Sequence, residues 1–428
     1  MSGVALASRP VALASAGIGV VGVTFGMARY GFGLLAPDIR ATFSLSSGAL
    51  GLLAAASYVA YVVTSVTAGV LAARLGARAV VAAGGVCAVV GMAVAGVAQS
   101  PAVLFAGLLV AGGSAGLVFP PFSDVVAGWL PPNRRARVIS AISSGTGWGV
   151  ALAAPVALLA GTEWRTAWLL FALMAAAATI GALTVLPRRD ASRGSAEVVR
   201  LRLRWFVRPR SSRLLAGALL VGLASSVYWT FAVDYLASDG GLSTTESRIF
   251  LALVGVASVG GSVSGDAVGR IGGGATFVLA AVAEAAALLL LGLAPTNAGA
   301  AIASAVLFGA AYCVIVAVQV IWSARVFSER PSAGLAAVMT MNAVGMLVGP
   351  PVMGAVADRT GFATVFAGAA VLMLATAALA PRERLEEGAP SEAPGSANDT
   401  KPACTGGPIA GRVRDDHAQR DGHRWAPP

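Results

Sequence analysis

Between residues 11 and 380 the sequence divides into twelve apolar runs separated by short polar or arginine-bearing connections. A membrane-crossing helix needs roughly 20 consecutive apolar residues. The runs fall at 11–37, 47–73, 79–98, 102–128, 138–161, 166–186, 213–237, 246–269, 275–294, 298–323, 333–357 and 362–380. They are too long, and too rich in Ala, Leu and Gly, for barrel strands of about 10 alternating residues. Composition agrees: 12% of residues are charged, against about 25% in soluble domains. The pattern predicts an all-α membrane protein with twelve transmembrane helices, its main solvent being lipid.

A net charge of +10 suggests nucleic acid as a partner, but the distribution of the charge excludes it. With the N-terminus inside, 20 arginines fall in inner segments and four (Arg40, Arg165, Arg248 and Arg359) in the opposite loops. The positive-inside rule then places both termini in the cytoplasm. The first run reads as a retained span rather than a cleaved signal, which points to the cell (inner or plasma) membrane. The sole lysine, Lys401, precedes Pro402, so no phosphate-binding P-loop exists and no nucleotide cofactor is expected. The only histidines, His417 and His423, lie in the tail. That leaves neither a metal site nor a His-based proton site in the membrane. Cys87, Cys313 and Cys404 are scattered and form no disulfide framework.

The chain is also duplicated. GVLAARLGAR at Gly69–Arg78 recurs 196 residues later as GDAVGRIGGG at Gly265–Gly274. The same offset relates Asp38 to Asp234, Arg134 to Arg330, Gly149 to Gly345 and Pro155 to Pro351. Two related six-helix bundles explain this. The expected organisation is a cytoplasmic N-terminus (1–10), an N-terminal bundle (11–186) and an Arg-rich cytoplasmic linker (187–212) touching anionic lipid. A C-terminal bundle (213–381) and a tail (382–428) follow. The tail is rich in Pro, Gly and charge and is expected to be disordered.

A loop of the form Gly-x-x-x-Asp-Arg-x-Gly-Arg-Arg between helices 2 and 3, repeated between helices 8 and 9, resembles the signature of the major facilitator superfamily. Gly69, Arg74, Gly76 and Arg78 match it in the first copy, and Gly265, Arg270 and Gly272 in the second. The signature Asp is Ala73 in one and Gly269 in the other. Glu163-Trp164-Arg165, Pro155 and Gly349-Pro350-Pro351 agree with the resemblance, and GMARYGFGLLAP in the first run is similar to bacterial permeases of the YbfB/YjiJ type. The resemblance implies a secondary transporter that moves a small organic solute, anionic or amphipathic, by alternating access. It acts as a monomer, with proton coupling by analogy and export favoured by Pro155. Helix 4 lacks the buried Arg that many drug antiporters use for coupling. The alternatives are an uptake symporter and a transporter-like ligand sensor. An integral-membrane enzyme would need an interfacial catalytic cluster, and the isolated acids supply none.

Arg29 is the principal candidate for a substrate contact. An Arg near the bilayer centre costs about 2.5–3.5 kcal/mol to insert. Helical spacing puts it on a stripe with Gly22, Phe25, Gly26, Phe32 and Gly33. It either meets an anion or carboxylate in a cavity, or is structural, bonding carbonyls or reaching the interface. The resemblance would place helices 1, 4, 7 and 10 around that cavity. Its lining would then include Phe119, Phe122, Tyr228, Trp229, Tyr312 and Gln319, with Trp148 and Asn342 from helices 5 and 11. The competing reading of the aromatics is packing or interfacial belt. Asp124 is expected to pair with Arg74 or Arg78 as a latch. Asp38 and Asp234 read as helix-terminating residues. Glu284 reads as a protonated, hydrogen-bonded carboxyl or, alternatively, as a proton carrier.

Overall fold

The computed structural model describes residues 3–161, 163–187, 209–260, 264–328 and 331–381, and the regular structure among them is helical. Most of the linker and the tail from 382 lie outside the described residues. The first crossing is α1 (Gly3–Val21), a six-residue π-helical turn (Gly22–Met27) and α2 (Gly31–Phe43). There follow α3 (Ser47–Leu75), α4 (Ala77–Gly96), α5 (Pro101–Trp129), α6 (Pro132–Leu159) and α7 (Trp164–Val185). The second set is α8 (Pro209–Ser238), α9 (Thr244–Gly260), α10 (Ser264–Ile271), α11 (Gly273–Leu293), α12 (Ala298–Val326), α13 (Pro331–Thr360) and α14 (Phe362–Ala377). Among the described residues, ten helical segments are long and apolar enough to span a bilayer by length and composition. The eighth run is carried by α9 and α10, and the twelfth by the 16-residue α14.

The helices start and stop where local chemistry dictates. Ser46, Ser100 and Asn297 accept hydrogen bonds from the backbone N–H groups of Ala49, Val103 and Ala300, capping α3, α5 and α12. The duplicated loop is a one-residue reversal. Gly76 links α3 to α4 at φ 88°, ψ 151°, and Gly272 links α10 to α11 at φ 83°, ψ 153°. Side chains rarely adopt that conformation. The two copies of the loop share one backbone shape as well as a sequence.

Packing repeats with the same logic. In the first half α4 packs on α5 and α7, α3 on α5, and α1 on α6. In the second, α11 packs on α12 and α14, α9 on α12, and α8 on α13. The first and fifth crossings of each half meet at glycines. A Cβ on Gly26 would lie 2.6 Å from Gly149 Cα, and one on Gly345 would lie 3.0 Å from the Gly222 carbonyl carbon. These pairs are related by the 196-residue offset, and the missing side chains let the backbones touch. The fold is therefore two pseudo-symmetric six-helix bundles.

The halves meet through α3 on α13, α6 on α9, and α2 on α8. Contacts across this seam run from the face opposite the Arg-rich loops, here the far face, to about mid-span. Gly48 and Gly51 lie against α13, Gly147 against Gly255, and Gly33 against the Trp229 carbonyl. Tyr61 packs with Ala343 and Phe25. Nearer the Arg-rich face, the clusters around Phe122 and around Ala68 contain first-half residues only.

Candidate functional site

The centre of the molecule is built on the break in the first crossing. Ala28 and Tyr30 donate their N–H groups to the carbonyls of Val23 and Phe25, at 2.9 and 3.3 Å. These are i→i−5 bonds, the signature of a π-bulge. Thr24 Oγ1 also donates to the Val20 carbonyl. The widened turn shifts the register of the helix, so the regular stripe expected for Arg29 does not hold. Gly22 and Gly26 face α6, while Phe25 turns toward Tyr61 and Phe119. Arg29 follows the bulge and is 7% exposed.

Arg29 sits in an aromatic box. Its Cζ lies 4.2 Å from the ring centroid of Tyr61, 4.6 Å from Tyr58, 5.3 Å from Tyr30 and 5.8 Å from Phe25. Such contacts contribute about 2 kcal/mol when desolvated, but they cover the guanidinium face and leave its N–H edges to find acceptors. One Nη donates to the Met346 thioether at 3.4 Å, a weak acceptor, and Nε has no partner. Among the described residues no carboxylate pairs with it. Tyr58 and Tyr61 come from the second crossing and were not among the sequence candidates. Their signal was two tyrosines at i, i+3 in a run of small and β-branched residues.

The second half completes the box. The Tyr30 ring centroid is 4.3 Å from that of Trp229, and its hydroxyl is 3.3 Å from that of Tyr312. Trp229 meets Tyr312 edge-on at 5.6 Å. Asn342 lies one turn from Met346 on α13, and Gln319 two turns from Tyr312 on α12, so each shares its neighbour's face. Trp229 Nε1, Asn342 Nδ2 and both polar atoms of the Gln319 amide are buried without a hydrogen-bond partner. Leaving such a group unsatisfied costs about 1–3 kcal/mol each. Buried polar groups without partners call for an explanation, a ligand among them. All three of these side chains belong to the second half, Gln319 and Asn342 on the helices that carry Tyr312 and Met346.

The remaining sequence candidates lie elsewhere. Phe122 is fully buried inside the first half with Val118 and Val125, whereas Phe119 meets Phe25 at 6.2 Å. Tyr228 is sealed in the second half: it bonds Ser304 at 2.8 Å and stacks on Phe308 at 3.7 Å. Trp148 is 44% exposed on a stripe with Leu152 and Leu159, because its neighbours Gly147 and Gly149 occupy the two packed faces of α6. Glu284 is also sealed, with Oε1 2.5 Å from Ser225 Oγ and Oε2 unpartnered.

At the Arg-rich face, Arg78 bonds the carbonyls of Leu183 and Leu186, capping α7 rather than meeting Asp124. Arg74 and Asp124 are exposed and form no ion pair among the described residues, so the expected latch is not made in this conformation. A Cβ added at Gly69 would meet nothing within 4 Å. Arg270 is exposed in the last turn of α10. Gly265 is in the same helix, with its surroundings outside the described residues.

The far face is closed by charges that the sequence reading treated as helix ends. Arg40 Nη1 lies 3.2 Å from Asp234 Oδ2, and Arg248 Nη2 lies 2.9 Å from Asp38 Oδ2. Each pair joins the two halves. Arg248 also donates to the carbonyls of Ala157 and Gly161, and Arg40 to Ser47 Oγ. The Asp358 carboxylate on α13 accepts from the N–H groups of Ser47 and Gly48 at 2.7 and 2.9 Å, which caps α3 from the other half. The equivalent aspartates Asp38 and Asp234 thus serve the same purpose, each holding an arginine of the opposite half.

A family model described as Major Facilitator Superfamily matches residues 18–283 and, in an overlapping second match, 214–418. A search of curated proteins finds no match. Among solved structures, a point mutant of the nucleoside transporter NupG superposes with TM-score 0.74 at 18% identity, covering 86% of this chain and 99% of that one. The xylose transporter XylE from E. coli, in a partially occluded inward-open conformation, gives 0.70 at 14% identity over 87% and 97%. A bacterial homologue of the human lysosomal transporter Spinster, inward-facing and occupied, gives 0.61 at 18% identity over 86% and 93%.

Proposed function

This chain belongs to the major facilitator superfamily, and from that premise we propose that it is a secondary transporter carrying a small organic anion through the site around Arg29. Its place as a multi-pass membrane transporter follows from the family and the fold. The observation that carries the rest is the buried Arg29, without a carboxylate among the described residues, held in a box of rings that meets Trp229 and Tyr312 of the second half, where Trp229, Gln319 and Asn342 keep unpartnered polar atoms. A substrate anion would supply the missing acceptor in either orientation of the two halves.

The conformation is read as inward-facing. Cross-half ion pairs seal the far face, while the packing clusters at the Arg-rich face stay within one half. The arginine bias makes the Arg-rich face cytoplasmic, in the cell membrane, with both termini on that side. The solved neighbours XylE and the Spinster homologue, both described as inward, support this reading. Alternating access then requires the Asp38–Arg248 and Arg40–Asp234 pairs to part as the inner ends of the two halves meet. Each chain holds a complete pathway, and it acts as a monomer in lipid. The flux is proposed to be export, with Pro155 in the fifth crossing as its support, and to be proton-coupled by analogy with the family.

The test starts with a ligand screen by thermal stabilisation and proceeds to flux in proteoliposomes under an imposed pH gradient. The expected result is accumulation against a concentration gradient, abolished by Arg29→Ala at unchanged expression and melting temperature. Undiminished flux in Arg29→Ala removes Arg29 from the pathway, and ligand binding without flux makes the protein a sensor.

A further inference from the structure

The central site also specifies what kind of anion it holds. We propose, resting on the central-site reading above, that the ligand is a planar, unsaturated organic monocarboxylate with a second polar group at the end away from the acid. Three observations on the same set of residues lead there.

The first is charge. Arg29 is the single charged side chain in the aromatic box, and Asp38, Asp234, Arg40 and Arg248 neutralise one another at the far face. The local balance is one positive charge, which one carboxylate cancels and a dianion exceeds. A neutral ligand would leave a buried cation without a counter-ion, and a cationic one would add repulsion.

The second is shape. The rings of Tyr58 and Tyr61 lie over the guanidinium, so a better acceptor than the Met346 thioether would have to meet its N–H edge, where Nε has no partner. An edge-on guanidinium matches a carboxylate in plane, with two parallel N–H···O bonds. Beyond it, Tyr30, Trp229 and Tyr312 continue the aromatic wall, with ring centroids 4.3 and 5.6 Å apart. Tyr30 and Trp229 are tilted by 31° and Trp229 and Tyr312 meet edge-on at 74°. Walls of this kind pack best with another ring, offset or edge-to-face, which favours a flat unsaturated ligand body over a puckered one.

The third is the count of unpaired groups. Arg29 Nε, Trp229 Nε1, Asn342 Nδ2 and Gln319 Nε2 donate, and Gln319 Oε1 alone accepts. Four donors against one acceptor suit a ligand richer in acceptors than in donors. Gln319 is fully buried with its whole amide unpaired, and it lies two turns from Tyr312. On the face of α12 that it shares with Tyr312, a hydroxyl or carbonyl of the ligand would supply the partner its amide lacks.

The full-length protein, purified in detergent, is titrated calorimetrically with four probes: 4-hydroxybenzoate, 4-hydroxybenzamide, 4-hydroxycyclohexanecarboxylate and benzoate. The acid is expected to bind about tenfold or more tighter than the amide, from loss of the charged fork, and also tighter than the saturated acid. Benzoate is expected to fall between. Arg29→Gln should erase the preference for acid over amide, and Gln319→Leu the preference for 4-hydroxybenzoate over benzoate. Should Arg29→Gln fold poorly, Gln319→Leu still reads the distal contact. Equal binding of acid and amide, equal binding of flat and saturated acids, or no binding of any probe overturns the ligand class and leaves central-site transport standing. A preference for the acid that survives Arg29→Gln unchanged instead overturns the central site itself.

Discussion

Replacing Asp38 by Asn removes the charge of one far-face pair while keeping its size. The two side chains of the pair are 3% and 14% exposed at 2.9 Å, so both are shielded while the halves are closed there. Removing one partner of a fully buried pair costs about 3–5 kcal/mol. Here the loss is smaller, because Arg248 keeps the Ala157 and Gly161 carbonyls at 2.9 and 2.7 Å and the new amide still offers an oxygen. What remains is the charge on one hydrogen bond, about 1.5–3 kcal/mol. Opening hydrates both groups, so the whole cost falls on the closed state. At about 1.4 kcal/mol per factor of ten, the closed-to-open ratio at the far face should fall by roughly ten- to a hundredfold. Spin labels at Gln99→Cys and Thr296→Cys, exposed on the far-face loops of the two halves, report this as a pulsed electron–electron distance. The background lacks Cys87, Cys313 and Cys404. Asp38→Asn and Asp234→Asn should each add a longer component, and exchanging the charges of Asp38 and Arg248 should recover part of the short one. Distance distributions unchanged in both single variants would refute the claim that these pairs hold the halves together.

The glycines separate by what surrounds them. Gly26→Val should destabilise by about 1–3 kcal/mol through overpacking, because its Cβ would press on Gly149, whereas Gly69→Ala should leave the thermal midpoint unchanged. Gly76→Ala, at φ 88°, should cost about 1–2 kcal/mol in the same melt. Trp229→Phe keeps the ring but removes the unpartnered Nε1–H, so ligand affinity should fall with little change in melting temperature; a large drop in melting temperature would mark the indole as structural. Glu284→Leu leaves Ser225 without its acceptor and should cost about 1–3 kcal/mol, while Glu284→Gln should melt like the unaltered protein. Loss of pH-driven flux in Glu284→Gln with exchange retained would make Glu284 the proton carrier.

What the sequence could reveal depended on whether the feature is written along the chain or between halves. Span count and duplication are periodic in the chain, and the shared φ of Gly76 and Gly272 realises the repeat at one residue. Arg29 was visible because charge in an apolar run is costly wherever it points. Rotation of each helix was not visible. A helix apolar all round carries no stripe to orient it, and here orientation is set by glycine crossings such as Gly26 on Gly149. Tyr228 and Trp229, adjacent and so about 100° apart, could not both face the centre, and nothing local said which would. Trp148 failed for the same reason, lying between two glycines committed to packing. The far-face pairs were hidden differently: Asp38 finds Arg248 and Asp234 finds Arg40 only once one half is laid against the other.

The duplication also shows where this chain departs from symmetry. The position equivalent to Arg29 is Ser225, and the position equivalent to Glu284 is Ala88. In the structure these two departures are a single contact, since Ser225 bonds Glu284 inside the second half. One half therefore turns this position toward the shared centre as a cation, while the other turns it into its own core as a neutral hydroxyl. A site built symmetrically would carry two arginines and call for a dianion. Because the second half holds its polar pair within its own packing, the centre keeps one positive charge, and under the proposed reading a single carboxylate balances it.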